Sequence, residues 1–124
     1  MDQEYELADA LQKIHHITEA ERLYPQMMTE FKLIQNEQYA LFCKKMLNYG
    51  PSNIMLGGDV DNKDDCKVAL SGLAIRVNDK SNRLINLCVK NVPDLVGESI
   101  KDTFQDLSVY GIIAQIVSRG KWAK

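Results

Sequence analysis

Three carboxylates recur at four-residue spacing in the last third of the chain, at Glu98, Asp102 and Asp106. A helix through this stretch places all three along one stripe, because residues i, i+4 and i+8 lie one above another. Like charges at that spacing repel, so carboxylates in a partly buried groove need a cation, a proton or a basic partner. Magnesium prefers oxygen ligands of this kind, usually together with substrate phosphate, and is the cation that the pattern favours.

The surroundings of this acidic stripe admit two interpretations. Toward the C-terminus the same stripe continues with apolar residues at Val109, Ile113 and Ile116. A helix that is apolar nearly all round is buried in a bundle or at a subunit interface, which favours a groove for the carboxylates. The alternative is a solvated face, stabilised by the dipole of the helix near its N-terminus. The sequence leaves both interpretations open.

A second cluster, of mixed charge, precedes the acidic stripe at Arg76, Asp79, Lys80 and Arg83. Steps of three and four residues place the four side chains on one helix face. Guanidinium groups match phosphate oxygens in geometry, lysine adds a point charge, and Asp79 is positioned to hold an arginine in place. The alternative is ordinary ion pairing, either within the helix or with the segment that carries Glu98.

A third candidate group lies where a helix is predicted to end, at Lys45, Tyr49 and Asn53. An aromatic ring at a helix end can stack on a base, and Gly50 allows the backbone to approach a ligand closely. A plain helix C-terminus also accounts for basic residues followed by a glycine.

Apolar residues at three- and four-residue spacing predict four helices as the elements that position these groups. Pro25 and the turn residues Asn48–Pro51 and Asn91–Asp94 mark the breaks, and Gly120 follows the last helix. Strict alternation of apolar and polar residues, which would indicate a strand, is absent. The predicted helices span residues 2–22, 26–47, 65–90 and 97–118. We therefore expect an all-α bundle of about four helices.

Composition bounds the class of protein. A chain of 124 residues with 45% hydrophobic and 26% charged residues fits one globular domain over residues 1–124. A net charge near −2 with both signs mixed argues against a broad duplex-DNA-binding face. The three cysteines are far apart and suggest neither a disulfide framework nor a zinc site. No signal peptide or membrane-spanning run is recognisable, so a cytoplasmic location is expected.

Three strings occur together and in one order: Lys45–Asn53 with its Asn-Tyr-Gly, Arg76–Leu84 with R-x-x-D-K-x-x-R-L, and Glu98–Tyr110 with E-S-I-x-D-T-x-x-D-L-x-x-Y. This combination resembles the first nucleotide modification associated domain family, found largely in bacteriophages and prophages. The resemblance covers residues 28–117. It implies a helical domain linked by gene context to modification of nucleotides or DNA bases, located in the host cytoplasm if a phage encodes the protein.

The chain also has a more distant likeness to the all-α nucleoside triphosphate pyrophosphatases of the MazG type. Those enzymes hold magnesium on substrate phosphates with helix-borne acids, and they assemble as dimers or tetramers. The likeness implies that Glu98 and Asp102 take the part of their third-helix acids. The sequence departs from that pattern in the preceding helix, which lacks a tight E-E-x-x-E cluster and offers only Glu30 and Glu37.

These observations lead to a hypothesis of a nucleotide-binding protein that hydrolyses nucleoside triphosphates with magnesium or serves nucleotide modification. Metal ligation and catalysis are assigned to Glu98, Asp102 and Asp106. Ligand contacts are assigned to Lys45, Tyr49, Asn53, Arg76, Asp79, Lys80 and Arg83. Competing hypotheses are a non-catalytic protein that sequesters a nucleotide against host defence, and an adaptor that binds another protein. Abundant apolar surface also predicts a homo-oligomer.

Overall fold

The computed structural model describes residues 2–124, and that range is helical with no strand. The predicted all-α fold is thus confirmed. The helices are α1 (Gln3–Leu23), α2 (Pro25–Tyr49), α3 (Ser52–Met55), α4 (Lys63–Leu84) and α5 (Ile100–Ser118). Four are long and correspond to the four predicted helices. The short α3 lies between the second and third predicted helices, where no helix was predicted.

Local signals set the ends of the first two helices. The side chain of Asp2 accepts a hydrogen bond from the Glu4 N–H at 3.0 Å and caps α1. Pro25 is the first residue of α2, where its missing N–H would have no helical partner in any case. The predicted break at Pro25 is therefore confirmed, with Tyr24 as the residue between the two helices.

The chain divides into two compact units, with a boundary inside α2 between Ala40 and Leu41. The second unit contains a buried core formed by α3, α4, α5 and the C-terminal residues. The residues of this core are Ile54, Ala69, Leu73, Ile113, Val117 and Trp122. Trp122 is fixed there because its indole N–H donates to the Pro51 carbonyl at 2.9 Å.

Helix α4 begins slightly earlier than predicted because Asn62 caps it. The Asn62 side chain accepts hydrogen bonds from the N–H groups of Asp64 and Asp65, at 2.9 and 3.1 Å. At its other end the helix continues as a π-helical turn over Ile85–Val89, closed by the Lys90 N–H on the Ile85 carbonyl at 3.0 Å. The predicted helix therefore has the right extent, but its last turn is wider than an α-helical one.

Helix α5 begins at Ile100, three residues after the predicted start at Gly97. The hydroxyl of Ser99 accepts the Asp102 N–H at 3.0 Å, so Ser99 is the N-cap and Glu98 lies outside the helix. Gly120 adopts a φ of +67° and ends the helix as predicted. The hydrogen bond from the Lys121 N–H to the Ile116 carbonyl completes this left-handed glycine cap.

Candidate functional site

One ammonium group joins two of the predicted metal ligands. Lys80 Nζ, on α4, lies 2.9 Å from Glu98 Oε1 and 3.0 Å from Asp106 Oδ2. Glu98 comes from the segment before α5 and Asp106 from the second turn of α5, so the lysine ties α4 to two separate parts of the chain. The three side chains are between 23% and 29% exposed, which weakens solvent screening without removing it.

These contacts alter the proton affinity of the lysine. The hydrogen bond to Glu98 raises the pKa of Lys80 above its ordinary value, and the contacts with Asp106 act in the same direction against partial desolvation. Lys80 therefore remains an ammonium group at neutral pH and neutralises part of the acidic charge around it.

A guanidinium group one helical turn further along α4 holds the segment before α5. Arg83 donates from Nη1 to the Thr103 hydroxyl at 2.7 Å, and from Nη2 to the Glu98 carbonyl and, at 3.2 Å, to Asp94 Oδ1. Its Nε lies 3.7 Å from Glu98 Oε2. The arginine side chain is 17% exposed and Thr103 is fully buried. Arg83 therefore fixes the position from which Glu98 reaches Lys80.

Asp94 supports this arrangement from the turn before α5. Its Oδ1 accepts the N–H groups of Val96 and Gly97 at 3.0 and 3.2 Å. These backbone hydrogen bonds, together with the charge of Arg83, hold the pKa of the Asp94 carboxyl below its ordinary value. The turn thus keeps a carboxylate against Arg83.

The remaining arginine of the α4 cluster lies in a different environment. Arg76 Nη2 donates to the Asn53 carbonyl at 3.3 Å, and its guanidinium carbon lies 6.0 Å from the centre of the Tyr110 ring. That distance is at the outer limit of a cation–π contact. Beside the arginine is a cavity of about 50 Å³, lined by side chains of α3 and α4. It has room for ordered water but not for a nucleoside base.

The structure separates the predicted site residues into two groups. Arg76, Lys80 and Arg83 are half-buried on α4, and the last two contact Glu98 directly. The side chains of Asp79 and Asp102 are exposed, and Arg83 is held by residues other than Asp79. Also exposed are Lys45, Tyr49 and Asn53. The salt bridges with the Glu98 segment, weighed above as an alternative for the basic cluster, are present.

Sequence reasoning missed three residues that shape this region: Asp94, Thr103 and Tyr110. Asp94 was assigned only to a chain break, where aspartate is common for local reasons. Thr103 and Tyr110 stand inside the third string, but nothing in helical spacing marks them as partners of residues on α4. Their roles depend on the contact between α4 and α5.

A metal site formed by the protein alone requires several ligand side chains close together. Within residues 2–124 no three residues of the types His, Cys, Asp and Glu come together as a metal-binding group. The pair Glu98 and Asp106 does converge on a single cation. Magnesium is commonly bound by one or two carboxylates plus substrate phosphate. The pair is engaged by the Lys80 ammonium and does not form a complete protein cage for a metal ion.

No family model, curated protein or solved structure matches the chain significantly. Among residues 2–124, no helix combines the length and hydropathy that crossing a membrane requires.

Proposed function

We propose that this protein binds a nucleotide through its phosphate groups. Its motifs resemble a phage family that is linked by gene context to nucleotide modification. The observation that carries the proposal is the convergence of Glu98 and Asp106 on Lys80. A metal-bound phosphate needs acidic groups for the metal and a cationic donor for the phosphate oxygens. Glu98 and Asp106 supply the first and Lys80 supplies the second.

Charge balance explains why a metal belongs to this proposal. Lys80 and Arg83 face three carboxylates, those of Asp94, Glu98 and Asp106. A phosphate chain arriving alone would meet an excess of negative charge. Accompanied by magnesium, it brings a cation for Glu98 and Asp106 and frees the Lys80 ammonium to contact phosphate oxygens.

The other predicted residues have supporting parts in this proposal. Arg76 lies on the same helix as Lys80 and extends the basic row toward α3. The side chains of Asp79 and Asp102 are exposed and can contact a ligand that covers this surface. Tyr49 and Asn53 are the residues proposed to contact the base or the sugar. Lys45 is proposed to contact a further phosphate. The ring of Tyr49 is 76% exposed and open to stacking.

Hydrolysis is the more specific form of the proposal. Bound magnesium would supply an acidified water and neutralise developing charge on the phosphate. The chain itself would hold the carboxylates in place through Arg83, and would present Lys80 and Arg76 to the phosphate oxygens. The reaction expected is cleavage of a nucleoside triphosphate, with Glu98, Asp102 and Asp106 as the acids concerned.

A second candidate function is sequestration of a nucleotide without conversion. The observation that favours it is that Glu98, Asp94 and Asp106 each already pair with a basic group of the protein itself, Lys80 or Arg83. Such a site holds its shape without a metal. A third candidate, an adaptor whose charged face contacts another protein, requires no nucleotide. In each case we propose a cytoplasmic protein that acts as a homo-oligomer.

The experiment that separates these functions is a binding screen with nucleoside mono-, di- and triphosphates and cyclic dinucleotides, each with and without magnesium. Thermal shift would detect binding, and chromatography of the recovered ligand would detect conversion. A magnesium-dependent shift with a cleaved triphosphate supports the enzyme. A shift with intact ligand supports sequestration. The absence of any shift contradicts both nucleotide functions.

Isosteric variants locate the site. Asp106→Asn and Glu98→Gln remove one negative charge each from the pair around Lys80, and we expect the magnesium-dependent shift to disappear. Asp64→Asn, at an exposed position in the first turn of α4, is the matched control and should retain it. Asp102→Asn decides whether that exposed carboxylate belongs to the site. If Asp106→Asn and Asp64→Asn behave alike, the proposed site is wrong.

A further inference from the structure

Helix α1 carries an apolar stripe that residues 2–40 leave exposed. Leu7, Leu11 and Ile14 follow each other at steps of four and three residues, the spacing of a helix-packing seam. They are 62%, 57% and 60% exposed, and no residue of α1 is buried. A stripe of this length costs free energy in water unless another surface covers it.

The first half of α2 carries a second stripe with the same property. Met27, Phe31 and Ile34 follow at steps of four and three residues and are between 48% and 62% exposed. Both stripes lie within the unit that ends at Ala40. Since both are exposed, α1 and this half of α2 do not cover each other within one chain.

The two stripes match when the helices run antiparallel. In that direction Ile14 falls opposite Ile34, and Leu7 opposite Leu41, so apolar residues meet at both ends of the seam. In the same register Ile17 falls opposite Phe31, which adds a third apolar pair.

The charges select the same direction. Four carboxylates and no lysine or arginine precede Lys13, whereas α2 has Lys44 and Lys45 near its C-terminal end and no acid after Glu37. Antiparallel pairing of α1 with α2 places Glu4 opposite Lys44. Parallel pairing of two α1 helices would instead place the acidic halves side by side, where like charges repel.

We infer that α1 of one copy of this chain packs antiparallel on α2 of a second copy, with the second copy returning the same contact. The exchange covers both stripes in each chain, and a two-fold pair makes the contact twice. Within one chain Tyr24 separates the two helices, and the Lys32 ammonium of α2 lies 3.2 Å from Glu21 of α1, outside both stripes. This interface does not depend on the proposed nucleotide site.

Mixed cross-linking tests the pairing. Cys43, Cys66 and Cys88 are first replaced by serine, and ultracentrifugation must return the same mass as for the wild-type chain. One variant of this background carries Ile14→Cys and another Ile34→Cys. A short bis-maleimide should give a covalent dimer in high yield in the mixture and at most a small yield with either variant alone.

The control partner is Gln12→Cys, an exposed position off the α1 stripe, which should lose most of the cross-linking to Ile34→Cys. A monomeric mass for the wild-type chain overturns the inference. So does efficient cross-linking of Ile14→Cys with itself, which would indicate pairing of two α1 helices. Cross-linking within one chain that carries both cysteines, without any dimer, would show that α1 folds back on its own α2.

Discussion

The α4–α5 region and the unit formed by α1 and the first part of α2 use the same local signals but differ in burial. In both regions a side chain of the residue before the helix caps it, as Asp2 does for α1 and Ser99 for α5. Helix α5 buries Thr103, Ile113 and Val117, whereas α1 buries nothing. Capping and spacing are therefore sufficient to define a helix, but its contribution to stability depends on what packs against it.

Removal of a core side chain should have the largest effect and sharpen this contrast. Leu73 on α4 is 3% exposed within the core of the second unit. We expect Leu73→Ala to lower the free energy of unfolding by about 2–5 kcal/mol, because it leaves a cavity among residues that cannot fully close it. Denaturant unfolding followed by circular dichroism measures the change. A loss below 1 kcal/mol would contradict the assignment of Leu73 to the core.

The ionic contact between α4 and α5 should have the next largest effect. Lys80→Met leaves Glu98 and Asp106 without their shared cation. After allowance for partial exposure we expect a loss of about 1–2 kcal/mol in unfolding free energy. Saturating magnesium should recover part of this loss if the two carboxylates bind the ion. Lys67→Met, at an exposed position on α4, is the matched control and should be nearly neutral.

The same contact predicts a dependence on pH. The folded protein raises the pKa of Lys80 above its ordinary value of 10.5. The stabilisation is therefore fully present below that value and is lost as pH rises through the folded pKa. As pH rises through this alkaline range, the free energy of unfolding of the wild-type protein should fall. Lys80→Met, which lacks the ammonium group, should not show this fall. Equal slopes for the two proteins would contradict the ion pair.

The cap of α5 should contribute less. Ser99→Ala removes the acceptor of the Asp102 N–H, and we expect a loss of about 1 kcal/mol. Ser99→Asp retains an acceptor and should restore most of it. Thermal unfolding of the three proteins gives the comparison. If alanine and aspartate at this position are equivalent, Ser99 does not cap the helix.

The smallest change in unfolding free energy within a single chain is expected for α1. This change tests the difference in burial between α1 and α5 most directly. In an isolated chain Leu11→Ala changes an exposed residue, so the free energy of unfolding should shift by less than about 0.5 kcal/mol. In the exchanged dimer the same change removes apolar contact from the interface. The destabilisation should then grow with protein concentration over the range in which wild-type dimers form. A shift that is large at every concentration would contradict the absence of an intramolecular partner.

The sequence determined the helical elements because their signals are local. Apolar spacing, Pro25 and Gly120 were sufficient to locate four long helices to within a few residues. The start of α5 was also readable, since Ser99 followed three residues later by Asp102 is a common capping pattern. The regular spacing of the carboxylates instead led to the prediction of one helix that included Glu98.

Tertiary structure alone decided which charges meet. The sequence placed Lys80, Glu98 and Asp106 among the candidates, but the contact between α4 and α5 selected Glu98 and Asp106 as the partners of Lys80 and left Asp102 exposed. Helical periodicity specifies the face on which a residue lies, whereas the neighbour of that face is set by packing between distant segments. The physical reason is that the attraction between two charges is strong only at short separation. Lys80 therefore gains its partners only after the helices have packed.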